Sequence, residues 1–165
     1  MIQLNLNVLI KYLRDKHYDA QLQSETQQIY IILKIAGREF PLFIRIFEQS
    51  DLLQLLVFMP INIKQGAYAD LARLLHQLNK ELDIPGFGMD ESAGVVFYRC
   101  MLPVLDKKIE ESLLDSFLKS ISVICESICP PIFTVASGSA SYAEIIAKAK
   151  EIKKGQTGFK TRVET

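Results

Sequence analysis

The chain has 165 residues, of which 49% are hydrophobic and 23% are charged, and this length and composition suit a single globular domain. Its 19 lysines and arginines balance its 19 aspartates and glutamates, so neither nucleic acid nor a membrane surface is an expected partner. No apolar run approaches the roughly 18–20 residues of a membrane span, and the first residues lack the basic and apolar parts of a signal peptide. Three cysteines, an odd number, do not suggest a disulfide framework, and we expect a cytoplasmic protein.

The first half of the chain predicts one helix followed by three strands. Apolar side chains between Leu6 and Leu13 recur at helical spacing, which predicts a helix near residues 6–16. The period then changes to two, and strands are expected over residues 29–35, 40–47 and 52–59. The short connections between these strands imply an antiparallel meander.

The second half predicts two helices that flank a second pair of strands. A leucine stripe predicts a helix over residues 65–82, and two short strands are expected at residues 87–91 and 94–102. Asp106 is the expected cap of a long helix, which Pro130-Pro131 should end.

The end of the chain predicts a last amphipathic helix and a tail. Ser141 and Glu144 have the spacing of a capping box, which predicts a helix from there to residue 153. Residues 154–165 are polar and have no apolar period, so we expect a disordered tail after a single domain of residues 1–153.

These elements define the expected fold class, which is α+β. The order is α-β-β-β-α-β-β-α with an extra C-terminal helix. An antiparallel sheet with helices packed on it is the natural architecture for this order.

The predicted strands have apolar side chains on both faces, although a sheet covered on one face usually alternates apolar and polar residues. Tyr30, Ile32, Phe43 and Phe47 lie on the second face. The last helix, a second subunit or another ligand would have to cover them, since large exposed apolar patches mark interaction surfaces. The last helix offers an alternative binding surface, formed by Tyr142, Ile145 and Ile146.

No residue pattern predicts catalysis, a cofactor or a metal site. Cys125 and Cys129 share a helix face but lack the other half of a metal site, so core packing is the better interpretation. Cys100 has no evident base partner, and His76 is expected near a solvent edge. The acidic pair Asp90-Glu91 is expected in a solvated turn.

Several segments together are similar to one protein family. Leu52 to Pro60 resembles its third strand, and Leu74 to Leu82 resembles its central helix, with the pair Leu78-Asn79 near the end. The hairpin from Phe87-Gly88 to Leu102-Pro103 also matches. On these residues the chain resembles the YbjN family of bacterial sensory-transduction regulators, over about residues 5–133, and the related fold of type III secretion chaperones.

The resemblance implies a binding protein and offers no catalytic residue. Secretion chaperones are cytoplasmic, commonly dimeric, and hold partly unfolded stretches of a client protein. This chain differs from secretion chaperones in two ways. Those chaperones are typically acidic, whereas this chain has no net charge, and its extra helix could occupy the client surface. Residues that match the family, such as Asn79 and Gly88, are most simply structural: Asn79 would bond nearby backbone, and Gly88 would allow a backbone conformation closed to other residues.

Two functions follow as hypotheses. The first is a non-enzymatic module, chaperone-like or regulatory, that binds a protein partner on its apolar sheet or helix surface and that could also form a homodimer. The second is a small-molecule-binding protein or enzyme with a pocket between the sheet and the helices, where Cys100 or His76 would act.

Overall fold

A computed structural model describes residues 1–47, 49, 51–84 and 86–160, with side chains described as far as residue 152. The helices in these residues are α1 (Leu6–Asp15), α2 (Tyr68–Glu81), α3 (Glu111–Ser127), α4 (Cys129–Ala136) and α5 (Tyr142–Lys160). The strands are β1 (Ile2–Gln3), β2 (Gln21–Gln23), β3 (Gln28–Ile35), β4 (Arg38–Phe47), β5 (Leu52–Phe58), β6 (Phe87–Asp90), β7 (Val95–Pro103) and β8 (Lys108–Ile109).

Six of these strands form one antiparallel sheet in the order β2-β3-β4-β5-β7-β6. The predicted α+β class and the meander β3-β4-β5 are confirmed. β7 pairs with β5, which leaves β6 at the edge. The two-residue strands β1 and β8 pair separately.

One face of the sheet is buried because every second strand residue is aliphatic or aromatic. These inward side chains share one core with the helices. The core residues of the meander are Ile29, Ile31, Leu33, Phe40, Leu42, Ile44, Leu53, Leu55 and Val57.

The described helices all pack on this inward side. α1 and α3 contact β3, and α2 contacts β6. α4 packs on α2 and α3, and α5 packs on α2. The last helix therefore does not cover the second face of the sheet. Of the three coverings considered from the sequence, a second subunit and another ligand are left.

The helix predicted from Asp106 begins later than expected. Asp106 and Lys107 have left-handed backbone, with φ of +51° and +53°, in the turn before β8, so Asp106 is not its cap. α3 starts at Glu111 and buries Leu114, Leu118, Ile121 and Cys125. Leu113, in the first turn of α3, is 40% exposed.

Pro130 and Pro131 begin a helix as well as ending one. They occupy the first turn of α4, where a missing N–H removes no helical bond. Among the described residues no single helix is long and apolar enough to cross a membrane. Only α3 and α4 taken together meet that test, across a bend of 45°.

The predicted capping box at the start of α5 is confirmed. The Ser141 N–H and hydroxyl donate to Glu144 Oε2 at 2.7 and 2.8 Å, and these bonds hold the pKa of Glu144 below its usual range. The helix continues through residues 154–160, which were expected to belong to a disordered tail. Residues 161–165 of that tail lie outside the described residues.

The Asn79 side chain links the end of α2 to the start of β6 through hydrogen bonds. Its Nδ2 donates to the Phe87 carbonyl at 2.9 Å. Its Oδ1 accepts from the N–H groups of Gly86 and Phe87 at 3.1 and 2.9 Å. The expectation that Asn79 bonds nearby backbone is confirmed, and one side chain satisfies three backbone groups.

Replacing Asn79 with alanine should lower the free energy of unfolding by about 1–3 kcal/mol, because partly buried backbone groups lose their partners. Urea denaturation measures the change. Gln77→Ala is the matched control, since Gln77 makes only an exposed bond to Glu81 and should cost less than about 0.5 kcal/mol. Equal losses in the two variants would contradict this role.

Candidate functional site

The face of the sheet opposite the described helices, here called the open face, carries two adjacent apolar rows. Strand register places Tyr30 beside Phe43 and Phe43 beside Leu56 in one row. In the next row Ile32 lies beside Pro41, and Phe58 lies beside Phe97. We call these side chains the apolar strip: Tyr30, Ile32, Pro41, Phe43, Leu56, Phe58 and Phe97.

The aromatic members of the strip form a continuous chain across β3, β4, β5 and β7. Ring centroids are 5.2 Å apart for Tyr30 and Phe43, 5.7 Å for Phe43 and Phe58, and 6.5 Å for Phe58 and Phe97. Such separations are typical of favourable aromatic pairs. The rings are half-buried because they shield one another, and they are not among the side chains that pack against the core.

Gly88 lies under the last ring of this chain. β6 pairs Gly88 with Phe97, and a Cβ atom at Gly88 would lie 2.5 Å from the Phe97 ring. The backbone of Gly88 is not left-handed, so the expected conformational reason for glycine is wrong. The physical reason is the close approach of the ring, which a side chain at this position would displace.

Polar side chains border the strip. Beyond the row of Tyr30 and Phe43, register aligns Arg45 with Gln54 and Met101. Arg99 lies next to Leu56, at the end of the row that contains Tyr30 and Phe43. On the opposite border Lys34 and Glu39 face each other with an N–O distance of 4.0 Å.

Two arginines lie over aromatic rings of the open face. The guanidinium carbon of Arg45 is 4.6 Å from the centroid of the Phe47 ring, and that of Arg99 is 5.7 Å from the centroid of the Phe97 ring. Both side chains are exposed, and neither forms an ion pair with a described residue. A planar guanidinium group can bind a carboxylate through two parallel hydrogen bonds.

The structure brings together three of the four sheet residues that the sequence singles out. Tyr30, Ile32 and Phe43 all belong to the strip. Phe47 is separated from them by the row that contains Arg45. Sequence reasoning missed Phe58 and Phe97, because nearly every position of their strands is apolar and only the register assigns them to a face.

The first residue of the alternative surface on α5, Tyr142, already contacts residues of α2. Tyr142 lies against Arg73, whose guanidinium carbon is 4.4 Å from the ring centroid, and its N–H donates to Asp70 at 3.2 Å. Ile145 packs against the core, and Ile146 is half-buried. These contacts make the last helix a weaker candidate surface than the open face.

The cysteines lie in the core. Cys100 is 3% exposed on the helix side of β7, and burial raises the pKa of its thiol. The Cys129 thiol donates to the Met59 sulfur at 3.2 Å, and contact with Cys125 together with burial raises its pKa. Raised thiol pKa values disfavour the reactive thiolate. In the part of the chain that the structure describes, no group of three His, Cys, Asp or Glu side chains could hold a metal ion.

The other polar residues considered from the sequence have structural surroundings. Asp90 accepts from the Ser92 hydroxyl at 2.6 Å and from the Ala93 N–H at 3.0 Å, which lowers its pKa and fits the expected turn. His76 is exposed on α2. A cavity of about 530 Å³ is lined by residues such as Asn5, Gln27 and Arg45, and neither Cys100 nor His76 lines it.

Comparison with known families gives a match over most of the chain. The model of the YbjN family, described as "Putative bacterial sensory transduction regulator", matches residues 5–133. The chain therefore belongs to the YbjN family. The match spans β2 to β7 and hence the whole apolar strip. No curated protein is similar enough in sequence to be called a relative.

The close approach of Gly88 and Phe97 predicts a non-additive pair of substitutions. Gly88→Ala should destabilise the protein by about 1–3 kcal/mol, because the added methyl group overpacks the contact with the ring. In a Phe97→Ala background the same change should be close to neutral, since the obstructing ring is gone. Urea denaturation of the four proteins measures this coupling. An equal cost of Gly88→Ala in both backgrounds would show that the ring is not the constraint.

Proposed function

We propose that the protein acts without catalysis, by binding a protein partner on the apolar strip of the open face, as a regulatory or chaperone-like module. The observation that carries this proposal is the chain of four aromatic rings on a sheet face that none of the described helices covers. Covering apolar surface yields about 25 cal/mol per Å². Contiguous apolar patches on a folded protein mark interaction sites.

Membership of a family described as regulatory supports this function. The resemblance to secretion chaperones adds the client-holding role. The extra C-terminal helix, which was a reason to doubt that role, does not lie on the open face. The extra helix, which could have occupied the client surface, packs on α2 on the other side of the sheet. The neutral charge of the chain remains a difference from those chaperones.

The proposed setting is the cytoplasm. Cys100, Cys125 and Cys129 are all free and buried, which fits a reducing compartment. A second copy of the chain is the other protein that could cover the open face, and the oligomeric state distinguishes it from a separate partner.

Phe43→Asp should abolish partner binding and preserve the fold, because Phe43 lies at the centre of the strip but outside the core. The immobilised protein is exposed to native cytoplasmic extract, and retained proteins are identified by mass spectrometry. Val123→Asp is the matched control, since Val123 is 60% exposed on α3. Circular dichroism verifies that each variant is folded.

Proteins retained by the wild type and by Val123→Asp, but not by Phe43→Asp, would support binding on the open face. Equal retention by all three would contradict it. If Phe43→Asp unfolds, Phe43→Ser removes the ring without placing a charge on the sheet, and it should give the same loss of binding.

A further inference from the structure

Resting on the proposed function, we infer the chemistry of its partner: an amphipathic α-helix that carries carboxylates along one flank. Three features of the open face support this occupant. They are the direction of the sheet's backbone groups, the dimensions of the apolar strip, and the sign of the charge beside it.

The backbone favours a helix over an extended segment. The N–H and C=O groups of β3, β4, β5 and β7 point within the sheet and bond to neighbouring strands. A chain laid across the face would find no backbone partners there, and unpaired polar groups against an apolar surface are costly. A helix satisfies its own backbone groups and presents only side chains.

The dimensions fit one helix. From β3 to β7 the strip crosses three strand spacings, or about 14 Å, and its two rows lie about 7 Å apart. A helix is about 10 Å wide and covers 14 Å in about ten residues. The strip is much smaller than the roughly 800 Å² that each partner contributes to a standard protein interface. It therefore suits a single helix better than a second copy of the chain.

The charge beside the strip selects an acidic partner. Arg99 ends one apolar row, and Arg45 lies in the bordering row. The described acidic groups of the same face lie on the opposite border of the strip, where Glu39 faces Lys34 and register places Asp90 beside Val95. A second copy would bring the same two arginines, whereas a helix with glutamates on one flank would pair with them.

The probes for this inference are two synthetic peptides of about 14 residues with leucines at i, i+3, i+4 and i+7 spacing. One has glutamates beside the leucine stripe, and the other has lysines at the same positions. Fluorescence anisotropy measures the affinity of each for the full chain. The glutamate peptide should bind about tenfold more tightly, given the modest strength of individual exposed ion pairs.

Charge-reversed variants identify the groups that select the peptide. Arg45→Glu combined with Arg99→Glu should remove or invert the preference. Lys11→Glu combined with Lys80→Glu makes the same change in net charge on exposed helix positions, and it should leave the preference intact.

The outcomes separate this inference from the proposed function. Equal binding of both peptides, lost in Phe43→Asp, would overturn the charge selection and retain the open face as the binding surface. Binding that Phe43→Asp does not weaken would contradict the binding surface itself. If neither peptide binds, or if sedimentation shows a dimer that Phe43→Asp dissociates, the acidic helix is not the occupant.

Discussion

The one-sided packing of the helices is the constraint on which the rest of the structure depends. Each strand of the meander directs one set of apolar side chains inward, and α1, α2 and α3 meet the sheet on that side. α4 and α5 add to the same layer. The opposite face has no described helix, yet it keeps aromatic side chains where polar ones would be expected. The core of the fold does not include these aromatic side chains, so core packing alone does not explain them.

The aromatic side chains of the open face lie outside the core, and contacts with one another hold them in place. The four rings lie within 5.2–6.5 Å of their neighbours, and the Phe97 ring uses the space left by Gly88. Cross-strand pairs of this kind stabilise a sheet by about 0.2–1 kcal/mol each, so the rings contribute to the fold before any partner arrives. The same arrangement presents a pre-formed surface, which lowers the entropic cost of binding.

Much of the fold could be predicted from the sequence, because the two-residue period of β3 and β4 and the leucine stripe of α2 are strong signals. β1, β2 and β8 were missed because segments of two or three residues are too short to show a period. α4 was missed because its prolines indicate a stop as readily as a start. Tyr30 and Phe43 could be found by alternation, whereas Phe58 and Phe97 required the strand register, which depends on long-range pairing.

Hydroxyl-radical footprinting of the free protein tests most directly whether the open face is uncovered in solution. Mass spectrometry compares the oxidation of Phe43 and Phe58 on this face with that of Phe40 and Tyr98, which are each 1% exposed in the core. The account predicts rapid oxidation of the first pair and protection of the second. Equal protection of both pairs would show that part of the chain or a second copy already covers the strip, and it would contradict the open face as a vacant binding surface.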